Sequence, residues 1–230
     1  AHNECPASYQ KLMEEPDSYL IGGKLMSLQK IQEDGLELRK PRQRLNDLEK
    51  LVAQAAIAQS DLKISLLAKT PKKNVAPEIL RRTQDWARTT LEANKGSDSD
   101  RTVSKGLVDF IEDFGGTVYD PGIKTMDVIQ RNMKYKYLSD VTRIKDLSRL
   151  SIEYKNADML LGALESLKKE ARSFTIVKIR NRYSHPTALG RRMIIMNVEL
   201  TLEHGKHICE LMLFTGADGS DNSWSRRRKM

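Results

Sequence analysis

The sequence predicts an α+β protein: a mostly antiparallel sheet with flanking helices, preceded by an α-helical N-terminal region. Three observations point there. Apolar residues recur at helical spacing through most of the first 120 residues, and they alternate with period two in several stretches beyond residue 148. Those later stretches follow the order strand, helix, strand, strand, strand, which suits hairpins more than crossover units and leaves a solvated sheet face for a site.

The helical part comes first. "RLNDLEKLVAQAAIAQSDLKISLLAK" (44–69) lines up Leu45, Leu48, Val52, Ala55 and Ala56, with Leu62, Leu66 and Leu67 continuing the stripe. "APEILRRTQDWARTTLEANKG" (76–96) has Pro77 near its first turn and Gly96 at its end, so it reads as a second helix with Trp86 in its core face. "GSDSD" is a loop, and "DRTVSKGLVDFIEDFGG" is a short helix halted by Gly115 and Gly116. "TVYDPG" reads as a turn.

From residue 123 the texture is mixed. "KTMDVIQRNMKY" is helical, "RLSIEY" (149–154) alternates as a strand, and "NADMLLGALESLKKEAR" (156–172) is an amphipathic helix opened by Asn156 or Asp158. "FTIVKIRNRY" (174–183), "MIIMNVELTL" (193–202) and "HICELMLF" (207–214) are three strands, the last two joined through "EHGK". The division is a helical region at 1–120, an α/β unit at 121–216 and a loose basic tail at 217–230.

Composition narrows the classes. Hydrophobic residues at 39%, charged at 30% and only 7 prolines describe a soluble globular chain. No apolar run reaches the roughly 18 residues of a membrane span, and no leader of the secretory kind opens the sequence. The expected setting is cytoplasmic, either in the producing cell or after delivery into a target cell. Cys5 and Cys209 have no zinc or disulfide spacing, and Cys209 is expected in the core. The net charge of +8 favours an anionic partner. Between Lys124 and Arg192 there are 16 Lys/Arg against 7 Asp/Glu, so the positive field belongs to that stretch.

The hairpin can be read by face. Ile194, Met196, Val198, Leu200 and Leu202 share one side with Cys209, Leu211 and Leu213. Asn197 and Glu199 share the other with Ile208, Glu210 and Met212. With "EHGK" as a four-residue loop, Glu199 stands directly across from Glu210. Like charges in that position cost up to about 1 kcal/mol, so the pair calls for a cation, a shared proton or ample water. Carboxylates without nearby His or Cys suit Mg²⁺, which commonly arrives with a polyphosphate. A solvated face screened by neighbouring Lys or Arg is the simpler alternative.

Upstream, Lys124, Asp127, Arg131 and Lys134 fall near one helical face, and three cations on one face can hold phosphates. Lys145, Asp146 and Arg149 then lead into a strand. His185, His204 and His207 lie in a loop and beside a hairpin turn, where solvated histidines are expected. Tyr135 and Tyr137 are placed against the sheet, and the "SRRRK" tail adds at most nonspecific affinity for nucleic acid.

Taken in order, Lys124 and Arg131, "KDLSRLSI", "VKIRNRYSHP", "LGRRMIIMNVEL" and "ICELML" resemble the synthetase domain of the RelA/SpoT family over about 95 residues, in particular its short and toxin-like branches. The resemblance implies a nucleotidyltransferase-like domain that moves pyrophosphate from ATP to a ribose hydroxyl with Mg²⁺. The product would be an alarmone of the ppGpp or ppApp type, or a modified tRNA. By the same resemblance Asp146 holds the metal, and Glu210 completes that site or serves as base, with Glu199 as a further candidate ligand. Lys124, Arg131, Lys134, Lys145, Arg149, Lys178, Arg180 and Arg182 would bind ATP and its phosphates. Tyr183, Arg191 and Arg192 would contact the acceptor, Tyr183 by stacking. An antitoxin or immunity protein, a parent toxin polypeptide and a homo-oligomer are implied partners.

Three motif positions depart from the family pattern. Arg191 stands where the family has the tyrosine of G-Y-R, and Met212 where it has the glutamine of E-x-Q; Met193 also replaces the acid after "GRR". These changes leave open a guanine nucleotide, an adenine nucleotide or an RNA hydroxyl as acceptor. They also leave a rival from the binding class, a catalytically degenerate nucleotide-sensing or RNA-binding domain, and a third reading in which the helices are a docking module.

Overall fold

A computed structural model describes residues 7–67, 116–169 and 174–216. The helices expected over 76–96 and most of 100–116, Cys5, Trp86, the end of the 156–172 helix and the basic tail with Trp224 lie outside the described residues. The described elements are α1 (Ala7–Glu14), β1 (Ser18–Ile21), β2 (Lys24–Ser27), α2 (Leu28–Glu33), α3 (Leu48–Leu67), β3 (Gly116–Tyr119), α4 (Met126–Tyr135), β4 (Arg149–Tyr154), α5 (Ala157–Lys169), β5 (Thr175–Asn181), β6 (Ile194–Leu202) and β7 (Gly205–Thr215). No described helix is long and apolar enough to cross a membrane.

The seven strands form one sheet in the order β2-β1-β5-β6-β7-β4-β3. Every pairing is antiparallel except β4 with β7, which is parallel. The mostly antiparallel α+β expectation therefore holds. The first 120 residues, expected as a helical region, also supply β1, β2 and β3, and these join the same sheet as the later strands. Gly22 and Gly23, both at positive φ, make the two-residue turn between β1 and β2. Glycine adopts that backbone without the Cβ clash, and paired left-handed residues match the twist of a hairpin.

One face carries the main core. Ile194, Met196, Val198, Leu200, Cys209, Leu211, Leu213, Leu150, Ile152 and Tyr154 pack there against Leu12 of α1, Ala58 and Leu62 of α3, and Leu160, Leu164 and Leu167 of α5. Each of these large side chains contributes roughly 2 kcal/mol by leaving water. Asn156 opens α5 by accepting the Met159 N–H at 2.9 Å, and Asp47 opens α3 through the Lys50 N–H at 3.0 Å. A second cluster joins Leu51 and Ala55 of α3 to Ile129 of α4 and to Tyr137, Ile144 and Leu147. It fixes the 137–147 segment next to the start of β4.

The other sheet face is not the solvated surface expected. Lys178, Asn197, Ile208, Met212 and Phe214 on it are all buried. The hairpin register also differs. The turn is Glu203–His204 alone, so Leu202 pairs with Gly205, Glu199 with Ile208 and Asn197 with Glu210. A shift of two residues keeps every side chain on its expected face while changing its cross-strand partner.

Candidate active site

The second face gains its cations through one irregularity. In β5 the pairing with β6 slips between Ile176 and Lys178, leaving Val177 as the extra residue of a bulge. Ile176 and Ile179 therefore both join the core, and Lys178 and Arg180 turn to the opposite face. Without the bulge, simple alternation would bury Lys178 beside Ile176. With it, a straight row crosses five strands: Tyr19 pairs with Lys178, Lys178 with Asn197, Asn197 with Glu210, and Glu210 with Arg149. Strand spacing of about 4.8 Å puts the Lys178 and Glu210 backbones about 10 Å apart.

Asp146 comes to the Glu210 end of this row from the segment before β4. Its carboxylate accepts hydrogen bonds from Lys124, from Lys136 at 3.5 Å and from the Tyr137 hydroxyl at 3.0 Å. Burial acts to raise the Asp146 pKa, but Lys124, Lys136 and these hydrogen bonds outweigh it, and the group is held below the ordinary carboxylate value. Glu210 moves the other way. Burial and the charge of Asp146 raise its pKa, and Lys124, Lys136 and Arg149 offset this in part. Among the described residues no hydrogen bond reaches the Glu210 carboxylate. The two carboxylates singled out in the sequence thus share one site, one held ionised and the other pushed toward its neutral form.

The donors on Asp146 are placed by a strained turn. Leu138 and Ser139 are successive left-handed residues, each costing roughly 1 kcal/mol. Their conformation returns the chain after α4 so that both Lys136 and Tyr137 reach Asp146. Lys136 was missed in the sequence reading, and Tyr137, assigned there to packing, also donates its hydroxyl.

Two glutamines outside the predicted set hold the strands below the site. The Gln59 amide accepts the Arg149 N–H at 2.7 Å and donates to the Arg149 carbonyl at 2.8 Å, as a neighbouring strand would. It also donates to Asp120 at 2.7 Å, and Asp120 is ion-paired with the buried Lys63. Gln43 treats Ile208 the same way, donating to its carbonyl at 2.8 Å and accepting its N–H at 2.9 Å. Gln43 thereby satisfies backbone groups where the β4–β7 ladder runs out, and Gln59 does so on the other edge of β4, past the last β3–β4 pair, Tyr119 with Ser151. Helix α3 and the segment before it are therefore part of the site's framework.

Other expected residues fall in several places. Lys124 precedes α4 and turns into Asp146, whereas Arg131 and Lys134 are exposed on α4. The common helical face of the three is not formed. Glu199 pairs with Lys206 at 2.7 Å and Arg44 at 3.7 Å, and it is not opposite Glu210. Tyr183 is fully buried, with its ring edge-on to Tyr9 and its hydroxyl accepting the Thr215 N–H at 3.2 Å, so it offers no stacking face to an acceptor. Arg192 donates to the Tyr183 carbonyl, and Arg182 to the His185 carbonyl at 3.4 Å. Arg191 closes the turn after Thr187, its N–H donated to the Thr187 hydroxyl at 3.1 Å. His207 is a core residue hydrogen-bonded to Ser148 and Gln54, not a solvated one. Cys209 is buried as expected.

Among the described residues no group of three or more His, Cys, Asp or Glu side chains gathers as a metal cage. Asp146 and Glu210 alone fit the habit of Mg²⁺, which takes one or two carboxylates and completes its shell with water and substrate phosphate. The displaced Glu210 supports that fit, because a cation beside it would restore the ionised form.

No family model matches the chain, and no curated protein does. Several solved structures are similar in backbone course. A GTP pyrophosphokinase family protein from Streptococcus pneumoniae has a TM-score of 0.49 and 18% identity over 79% of this chain and 74% of that one. Small alarmone synthetase 1 from Bacillus subtilis, bound to its product pppGpp, has a TM-score of 0.46 and 16% identity over 79% and 78%. The complex between the Type VI effector Tas1 and its immunity protein gives 0.41 and 18% over 77% and 64%.

Proposed function

We propose that the chain is a Mg²⁺-dependent pyrophosphokinase, transferring pyrophosphate from ATP to a ribose hydroxyl of a nucleotide or of tRNA. The observation that carries this is the meeting of Asp146 and Glu210 between two groups of cations. An acceptor hydroxyl attacks the β-phosphorus of ATP, the bond from that phosphorus to the α–β bridging oxygen breaks, and AMP leaves. Glu210, held toward its neutral form by burial, has a pKa displaced in the direction a base near neutrality requires, and it takes the hydroxyl proton. Asp146 would hold the metal, with Glu210 completing that site where it does not serve as the base, and the metal would supply charge neutralisation at the phosphates. Lys124, Lys136 and Arg149 stand beside them to grip donor phosphates; Lys145, Lys178 and Arg180 extend the positive field toward β5. Positioning and electrostatic stabilisation contribute most of the rate in such a transfer.

The test uses ATP labelled at the γ-phosphate, Mg²⁺ and separate acceptors: GDP, GTP, ADP, ATP and bulk tRNA. Label arriving as the outer phosphate of a new diphosphate identifies the activity and the acceptor. The rival binding function is favoured by Met212, an apolar, buried residue on the face that carries Glu210. Nucleotide binding without transfer to any of these acceptors supports it.

A further inference from the structure

Asn197 and Glu210 stand in the closer of the two kinds of cross-strand pair. The Glu210 N–H is donated to the Ser148 carbonyl at 2.9 Å, so the backbone groups of Glu210 turn to β4 and away from β6. In an antiparallel ladder this makes Asn197 and Glu210 a non-hydrogen-bonded pair, with α-carbons about 4.5 Å apart and side chains rising next to each other on one face. The backbone groups of Asn197 turn instead to β5, where Lys178 lies opposite at the wider spacing.

The two side chains share a second property. Asn197 is 7% exposed, yet its amide makes no hydrogen bond among the described residues, and the Glu210 carboxylate makes none either. The surroundings offer the amide no substitute. Buried Ile208 and Met212 flank Glu210 along β7, Ile195 adjoins Asn197 along β6, and Lys178 directs its ammonium to the Tyr19 ring, 4.7 Å from the centroid. A recessed amide without a partner is unfavourable unless a bound group completes it.

The place of the amide limits what that group can be. A phosphate on Asn197 would face the Glu210 carboxylate at pair spacing and be repelled. A hydroxyl carries no charge, and it donates and accepts as the amide itself does. Glu210 takes the proton of an attacking ribose hydroxyl in the transfer proposed above, and the neighbour of that hydroxyl on an unblocked ribose is the other member of the 2′,3′-diol. Side chains paired this closely reach two adjacent hydroxyls with a hydrogen bond of about 2.8 Å to each.

We infer that Asn197 determines which sugar is accepted: its amide holds the hydroxyl vicinal to the attacking one, so the chain selects a ribose with both 2′ and 3′ hydroxyls free. A deoxyribose and an internal RNA nucleotide are both rejected, whatever base or phosphates accompany them. This rests on the pyrophosphokinase function proposed above and adds the recognition of the sugar to the same site.

The test is calorimetric titration of the full chain holding α,β-methylene-ATP and Mg²⁺. The probes are GTP, ATP and the trinucleotide CCA, each beside the form that lacks the 2′ hydroxyl on the sugar with the free 3′ end. Wild type is compared with Asn197→Ala and Asn197→Leu; the leucine replaces an unbonded amide with an apolar group of similar size, so one variant reports where the other fails to fold. In wild type at least one ribose probe is expected to bind about tenfold or more tightly than its deoxy form, and in the variants the two bind within about twofold, the loss falling on the ribose form alone. Donor-analogue affinity stays within about twofold. Equal affinity for both members of every pair in wild type overturns the assignment, as does a preference that survives the substitutions, or binding by none of the probes. A loss shared equally by ribose and deoxy forms also overturns it, since that marks a structural role. None of these readings needs turnover, so discrimination of the diol without transfer would refute the enzymatic function alone.

Discussion

Asn197 pairs directly with Glu210 across β6 and β7, and that pairing sets the axis of the site. On the β4 side of the axis Glu210 meets Arg149, and Asp146 stands next to it; on the β5 side Asn197 meets Lys178. The carboxylate is thus at the junction of two cationic groups, without a hydrogen bond of its own among the described residues.

That position has a consequence for stability. The folded protein holds the Glu210 proton more tightly than the unfolded chain does, so ionised Glu210 opposes folding. The penalty is absent at acid pH and develops as pH rises from the ordinary value of 4.5 toward the raised folded value. Glu210→Gln is therefore expected to melt higher than wild type at neutral pH, by an amount on the order of a few degrees, with the difference vanishing toward pH 4. Added Mg²⁺ is expected to raise the melting temperature of the wild type and to leave that of Glu210→Gln unchanged. Thermal melts over pH 4–8 with and without the metal check both statements.

In the proposed site Lys136 would compete with the metal for Asp146. Its ammonium is 3.5 Å from the Asp146 carboxylate and its side chain is 59% exposed, so the pair is screened and contributes at most about 1 kcal/mol. Lys136→Met is expected to tighten divalent-cation binding by roughly two- to fivefold. Titration with Mn²⁺ followed by electron paramagnetic resonance measures it, and unchanged or weaker binding contradicts the competition.

Gln59 acts on the site through backbone. Removing its amide in Gln59→Ala leaves the Arg149 N–H and carbonyl without this partner and costs roughly 2–3 kcal/mol. Gln59→Glu keeps an acceptor for the N–H but loses the donor to the carbonyl and to Asp120, so it is expected to be at least as damaging. Urea unfolding of the two variants gives the order.

His207 sets the acid limit. Full burial lowers its pKa to about 4 from the ordinary 6.5, so the folded core accepts only the neutral ring. Stability from this group is present above pH 6.5 and is lost as pH falls through about 4, a change of roughly 3 kcal/mol. The pH dependence of urea unfolding between 6.5 and 4 should flatten in His207→Gln.

Much of this arrangement was legible in the residues. "RLSIEY" gave β4 with its observed bounds, and alternation placed Glu210 on the correct face because parity survives a two-residue register shift. The cross-strand partner did not follow, since alternation is blind to whether the turn holds two residues or four. "SYLIGGKLMS" carries a hairpin signal, Gly22–Gly23 between two short apolar runs, that a helical assignment of the whole first region passes over. The side assigned to Lys178 depends on the Val177 bulge, which no period-two pattern contains. Gln43 and Gln59 reach Ile208 and Arg149 across 165 and 90 residues of chain, and a lone glutamine on a helix or before it says nothing of such a partner.

The measurement that bears most directly on the central claim is the product balance with ATP, Mg²⁺ and a nucleoside triphosphate acceptor, followed by chromatography for the wild type, Asp146→Asn and Glu210→Gln. One AMP formed per pyrophosphorylated acceptor, with both products lost in the two variants, is the predicted result. ADP as the product, or transfer that persists undiminished in both variants, would contradict the assignment of pyrophosphoryl transfer to Asp146 and Glu210.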